Sequence, residues 1–137
     1  MEYVDGALHY NNPVSILWDE TKSIWSNRPI GCIVSIGTGK PAIGGVGKRG
    51  HDILKALVKM ATDTEKTARE FKTRISQMLE TDRPKYYRFN VERGLEGIAL
   101  EEWTQFTMLT EATNSYLSEQ REEIDACAGA LFSAVGT

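Results

Sequence analysis

Apolar positions in the first forty residues follow two different patterns. Val14, Leu17, Trp18, Ile24 and Trp25 recur at steps that bring them to one side of a helix, which predicts a short amphipathic helix. Asn11-Asn12-Pro13 stands at its start, where an asparagine caps and a proline suits the first helical position. Asn27-Arg28-Pro29 stops it. The stretch Gly6 to Pro13 reads as a turn or loop. Ile30-Gly31-Cys32-Ile33-Val34-Ser35-Ile36 is a nearly continuous apolar run. Such a run predicts a central strand of a parallel sheet, covered on both faces. Gly37-Thr38-Gly39 ends it abruptly.

The pattern changes again downstream. Residues 40–50, with Gly44, Gly45, Gly47 and Gly50, read as a flexible loop. From His51 the apolar residues Leu54, Leu57, Val58, Ala61, Ala68, Phe71, Ile75 and Met78 keep helical spacing. They predict one long amphipathic helix of roughly 28 residues, about 42 Å at 1.5 Å per residue. Thr81-Asp82-Arg83-Pro84 breaks it. Tyr86 to Val91 fits a strand. Glu101 to about Leu117 and about Glu119 to Val135 read as two further helices. The expected order is helix, strand, helix, strand, helix, helix, an α/β chain without internal repeats.

Composition agrees with a globular domain. The chain has 137 residues, 41% hydrophobic and 26% charged, so it is neither disordered nor fibrous. A chain of this size buries roughly two-thirds of its unfolded surface. Net charge is -3, which gives no general argument for nucleic acid. No apolar run reaches the roughly 20 residues of a transmembrane helix. The first residues, Met1 to Gly6, lack the basic-then-apolar order of a signal peptide. Cys32 and Cys127, with no CxxC spacing, exclude a disulfide scaffold and a cysteine-rich zinc site. They read as buried free thiols of a reducing compartment. With only His9 and His51, no metal and no cofactor are expected.

Charge is unevenly spread. Residues 40–93 carry thirteen basic and seven acidic groups, net +6; residues 101–137 carry one basic and seven acidic, net -6. The plain reading is two polar helix faces of opposite sign packed against each other.

Candidate chemistry is sparse on residues alone. Ala42 to Arg49 comes close to a phosphate-binding loop. It has Ala42 where the pattern needs glycine, and Arg49 where a hydroxyl should hold magnesium. With two defects in the pattern and no second apolar run ending in Asp for a magnesium site, the loop reads as a mobile connection between Ile36 and His51. No GxSxG nucleophile elbow occurs in the 137 residues. Asp5 precedes Gly6-Ala7 at the end of a short apolar segment; an Asp-Gly pair by itself is most often a turn. His9 is a loop histidine.

Three stretches together give a sharper reading. Asp5-Gly6-Ala7 followed by Asn11-Asn12-Pro13 resembles the aspartate motif of the patatin-like phospholipases. Ile33-Val34-Ser35-Ile36-Gly37-Thr38-Gly39 resembles the strand and Ser-Ile-Gly-Thr-Gly turn that follow in that family. Residues 61–68 and 86–95 look like its fungal branch. The resemblance implies the C-terminal portion of a three-layer patatin-like α/β fold, followed by helices. Residues 1–45 would form the C-terminal part of the catalytic core, and 46–137 a mainly helical extension of the same domain.

The family hydrolyses lipid acyl esters with a Ser–Asp dyad. By resemblance Asp5 is the general base and acid, and Gly6 and Ala7 shape the turn that presents it. The serine and oxyanion loop lie upstream of this motif in the family. The chain is therefore expected to be a fragment, inactive alone, with an open sheet edge. Implied partners are a phospholipid acyl ester and the missing N-terminal half or other domains of a larger protein, with no nucleic acid and no transmembrane segment. The implied location is cytoplasmic, peripheral at membranes. The alternative is a non-catalytic lipid- or protein-binding pseudoenzyme module.

Overall fold

Helix α1, Val14–Ile24, begins where the Asn-Asn-Pro turn ends. Its first carbonyl, that of Pro13, accepts from the Leu17 N–H at 2.9 Å. Asn12 Oδ1 accepts from the Val14 N–H at 3.3 Å and supplies the cap from one residue further out. The computed structural model describes residues 10–39, 51–91 and 106–135; within these, the side chains of 51–58, 60, 134 and 135 are not described.

Strand β1, Cys32–Ile36, follows α1. Helix α2, His51–Ser76, runs for 26 residues, about 39 Å at 1.5 Å per residue. Arg83 holds the carbonyl of its last residue and one just beyond, its guanidinium donating to Ser76 O at 2.8 Å and Met78 O at 2.9 Å. A 3-10 turn at Glu80–Asp82 then leads to β2, Lys85–Phe89. Two helices close the chain: α3, Phe106–Glu119, and α4, Arg121–Val135. The order is the one the sequence pattern predicts.

β1 and β2 pair in parallel, with Ile33 opposite Tyr86 and Ser35 opposite Arg88. A parallel pair needs a crossover between its strands, and α2 is that crossover. Because side chains alternate, Ile33, Ser35, Tyr86 and Arg88 share one face of the sheet, and Cys32, Val34, Tyr87 and Phe89 share the other. Val14 and Trp18 of α1 and Phe71 and Ile75 of α2 form the core on the first face, closed by Ile30, Ile33, Met78 and Tyr86. Phe71 is 1% exposed and meets Trp18 and Tyr86 edge-on, at centroid distances of 6.1 and 5.0 Å. α4 covers the second face through Cys127 and Ala130. The arrangement is helix layer, sheet, helix layer, part of an α/β fold.

Two expectations need correcting. The apolar strand is half-buried, and Ile36 is 78% exposed, because only two strands pair among the described residues. The basic α2 and acidic α4 do not pack on one another; the sheet stands between them.

Candidate functional site

Polar side chains gather where the parallel strands reach their carboxyl ends, the place where open α/β sheets bind ligands. Four elements contribute. Asn12, 7% exposed, donates from Nδ2 to Thr64 O of α2 at 3.3 Å. Its Oδ1 also accepts from the Ser35 hydroxyl at 3.3 Å. Arg88 donates to Ser35 Oγ at 2.9 Å and to Glu65 Oε1 at 3.3 Å. Asn90, 8% exposed, donates to the same Glu65 oxygen at 2.9 Å.

Asn90 is the hub of this joint. Its Oδ1 accepts from the Gly39 N–H at 2.8 Å. Its own N–H donates to the Tyr116 hydroxyl of α3 at 3.1 Å. The end of β2 is thereby tied to the turn after β1, to α2 and to the far helix layer. Gly39 has φ 99°, which favours glycine. Gly37 leaves room for the Asn90 amide, because a Cβ there would stand 2.2 Å from Asn90 Oδ1. The Gly-Thr-Gly sequence is therefore a steric requirement of the joint.

The electrostatics hold together by mutual support. The Arg88 and Glu65 side chains are 12% and 22% exposed. An ion pair this buried is stable only when further hydrogen bonds satisfy its oxygens and N–H groups. Ser35 accepts from Arg88 Nη1 and Asn90 donates to the Glu65 carboxylate, while the Arg88 Nε–H is buried without a partner. A cleft of 540 Å³ opens beside the pair, lined in part by Glu65, Arg88, Asn90, Tyr116, Glu119 and Glu123. Among the described residues, no group of three or more His, Cys, Asp or Glu could hold a metal ion. No described helix is long and apolar enough to cross a membrane.

Asp5, Gly6, Ala7 and His9 lie outside the described residues, as do the 42–49 loop and residues 92–95. What the structure does bring together is the flanks of the motifs. Asn12 of the Asn-Asn-Pro turn is bonded to Ser35 of the Ser-Ile-Gly-Thr-Gly stretch. Glu65, Asn90 and Tyr116 were not singled out as site residues from the sequence. Nothing in their spacing marks them, since each sits on a different element and they meet only through the β2 crossover.

A parallel strand–helix–strand unit, layered by helices on both faces, with a polar joint off the strand ends, defines a piece of a layered α/β domain. Comparison with known proteins is more specific. The chain is 36% identical over 90 residues to calcium-independent phospholipase A2-gamma of Mus musculus, a stretch that is 63% of this chain and 11% of that protein. The Rattus norvegicus protein of the same name gives the same values. The Homo sapiens protein is 34% identical over the same shares. The matched stretch thus spans about a tenth of the length of these curated relatives. No family model and no solved structure matches. The likeness supports the patatin-like phospholipase resemblance carried by residues 5–13 and 33–39.

Proposed function

We propose that this chain is the distal part of a patatin-like lipid acyl hydrolase, with Asp5 as the aspartate of its Ser–Asp dyad. The observation that carries the reading is the Asn12–Ser35 hydrogen bond, which fastens the turn after the aspartate motif to the strand of the second motif. Similarity to calcium-independent phospholipase A2-gamma over 90 residues supports it independently. The stretches 61–68 and 86–95 look like the fungal branch of that family.

In this reading Asp5 accepts the proton of a serine hydroxyl supplied from outside these 137 residues. The serine oxygen attacks the ester carbonyl of a phospholipid, and Asp5 returns the proton to the departing alcohol. It then takes a proton from the attacking water and hands it to the serine oxygen as the fatty acid leaves, which restores both groups. Gly6 and Ala7 are the motif residues that, by resemblance, shape the turn presenting the carboxylate. No metal or cofactor enters these steps. The setting is cytoplasmic, at membrane surfaces.

The test uses the open reading frame with whatever coding sequence precedes Met1, assayed for fatty acid release from phosphatidylcholine vesicles. Turnover is expected in the full frame and not in residues 1–137 alone. Asp5→Asn in the full frame should lower it by roughly 10²–10⁴-fold. A stop codon directly upstream, with no GxSxG protein encoded beside it, would sink the enzyme reading and leave a binding module. An unchanged rate in Asp5→Asn would remove Asp5 from the dyad.

A further inference from the structure

Hydrogen bonds of the polar joint close into a circuit. Arg88 Nη1 donates to Ser35 Oγ at 2.9 Å, and Ser35 Oγ donates to Asn12 Oδ1 at 3.3 Å. Asn12 Nδ2 donates to Thr64 O of α2 at 3.3 Å. Arg88 Nη2 donates to Glu65, the next residue of α2, at 3.3 Å. The circuit leaves α2 and returns to it one residue away, by way of β2, β1 and the Asn-Asn-Pro turn.

The direction of each bond is forced. A guanidinium only donates, so the Ser35 oxygen must accept from it. A hydroxyl carries one proton, and with Arg88 behind it that proton is left for Asn12 Oδ1. The same Oδ1 accepts from the Val14 N–H at 3.3 Å. Turning the Asn12 amide over would set its NH2 against that N–H, donor to donor. Arg88 therefore sets, through one hydroxyl, which way the buried Asn12 amide faces. On this face of β1 the neighbouring Ile33 is apolar, so Ser35 is the residue of the strand that can pass the bond on.

We propose that Ser35 is a positioning residue for ester hydrolysis: its hydroxyl, aimed by Arg88, holds Asn12 and with it the segment that leads back to Asp5. The proposal rests on the reading of Asp5 as the dyad aspartate. Asn12 stands seven positions after Asp5 in the chain. Its side chain is tied to β1, to α2 and to the start of α1, so the segment departs from a fixed point. A carboxylate that moves protons must lie within hydrogen-bond reach of the serine oxygen. A misplacement of about 1 Å costs up to about 10²-fold in rate. Ser35 acts through Asn12 and takes no part in the bonds made and broken.

The test uses the full open reading frame, assayed for fatty acid release from phosphatidylcholine vesicles. Ser35→Thr and Ser35→Val introduce side chains of one shape that differ in the hydroxyl. Ser35→Val should lower kcat by roughly tenfold or more and leave KM within about twofold. Ser35→Thr should stay near the parent rate. Placed on Asp5→Asn, the two should give one residual rate, because no carboxylate remains to be placed. A Ser35→Val rate equal to that of Ser35→Thr would overturn the proposal, and so would the same loss with and without Asp5. Loss in Asp5→Asn but none in Ser35→Val sinks the proposal alone. Turnover that Asp5→Asn leaves untouched, or a full frame without turnover, sinks the dyad reading and the proposal with it. Circular dichroism checks that each variant is folded, and Ser35→Ala is the hydroxyl-free variant if Ser35→Val unfolds. The circuit itself is read by NMR in residues 1–137. Hydrogen exchange at Asn12 Nδ2 should be slow in the parent chain and in Ser35→Thr and faster in Ser35→Val; equal exchange in all three would overturn it.

Discussion

Gly37 and Asn90 stand where the two strands end, and the space between them sets a sharp test of the polar joint. A Cβ at Gly37 would lie 2.2 Å from Asn90 Oδ1, 2.6 Å from Asn90 Cγ and 2.8 Å from Arg88 Nη2. Gly39 is the glycine with positive φ among the described residues, so Gly37→Ala tests space without backbone strain. Overpacking of this kind costs about 1–3 kcal/mol. Asn90→Ala removes the acceptor of the Gly39 N–H and one donor to the Glu65 carboxylate. At about 1 kcal/mol for the first and about 1.5–3 for the charge-assisted second, it costs about 2–4 kcal/mol. Independent effects would therefore sum to about 3–7 kcal/mol. They should not sum. Asn90→Ala deletes two of the three atoms that the new methyl meets, and the third ends a flexible arginine. The double variant is expected to cost about as much as Asn90→Ala alone, a coupling of about 1 kcal/mol or more. Urea unfolding of the four chains, followed by tryptophan fluorescence and far-UV circular dichroism, measures it at constant slope. Additivity within about 0.5 kcal/mol would refute the contact between Gly37 and Asn90 as the reason for the glycine.

Two further outcomes follow from the same structure. Phe71→Ala removes the most buried side chain among the described residues and its edge contacts to Trp18 and Tyr86, and should cost about 3–5 kcal/mol in the same unfolding experiment. Ile24→Ala, at a site 62% exposed, should stay within about 0.5 kcal/mol and serves as its control. At the surface, the Arg74 guanidinium donates to the Asp19 carboxylate at 2.6 Å and holds it below the ordinary carboxylate range. The folded value lies below the unfolded one, so the contribution is present above the unfolded value and lost as pH falls through the folded one. Carboxyl titration by NMR should show Asp19 rising to the ordinary range in Arg74→Gln; an unmoved titration would contradict the pairing.

Much of the fold was legible in local pattern. Ala68, Phe71 and Ile75 of the stripe are on the buried side of α2, and Met78, just past its end, packs partly buried against the same core. The Asn-Asn-Pro turn starts α1 and Asn12 caps it. Both strands overlap the expected stretches: β1 starts two residues later than the apolar run, and β2 starts one residue before Tyr86 and ends two residues before Val91. Of the candidate site, the chemistry-bearing Asp5 rests on motif resemblance, and it lies outside the described residues. The neighbours of the motif were less legible. Glu65 reads in sequence as one more exposed helical carboxylate, yet it holds both Arg88 and Asn90.

The division has a physical cause. Periodicity, caps and breakers act over one or two turns of chain, so sequence alone determined which residues become helix or strand and which side of each element is apolar. Which faces meet depends on contacts between residues far apart in the chain. Only the tertiary structure could put Ser35 beside Arg88 and Asn90 beside Gly39. It also set the basic and acidic helices on opposite sides of the sheet, because parallel pairing of β1 with β2 through α2 leaves the other face for α4. Charge patterning along the chain carries no information about that choice; strand pairing and the burial of apolar faces make it.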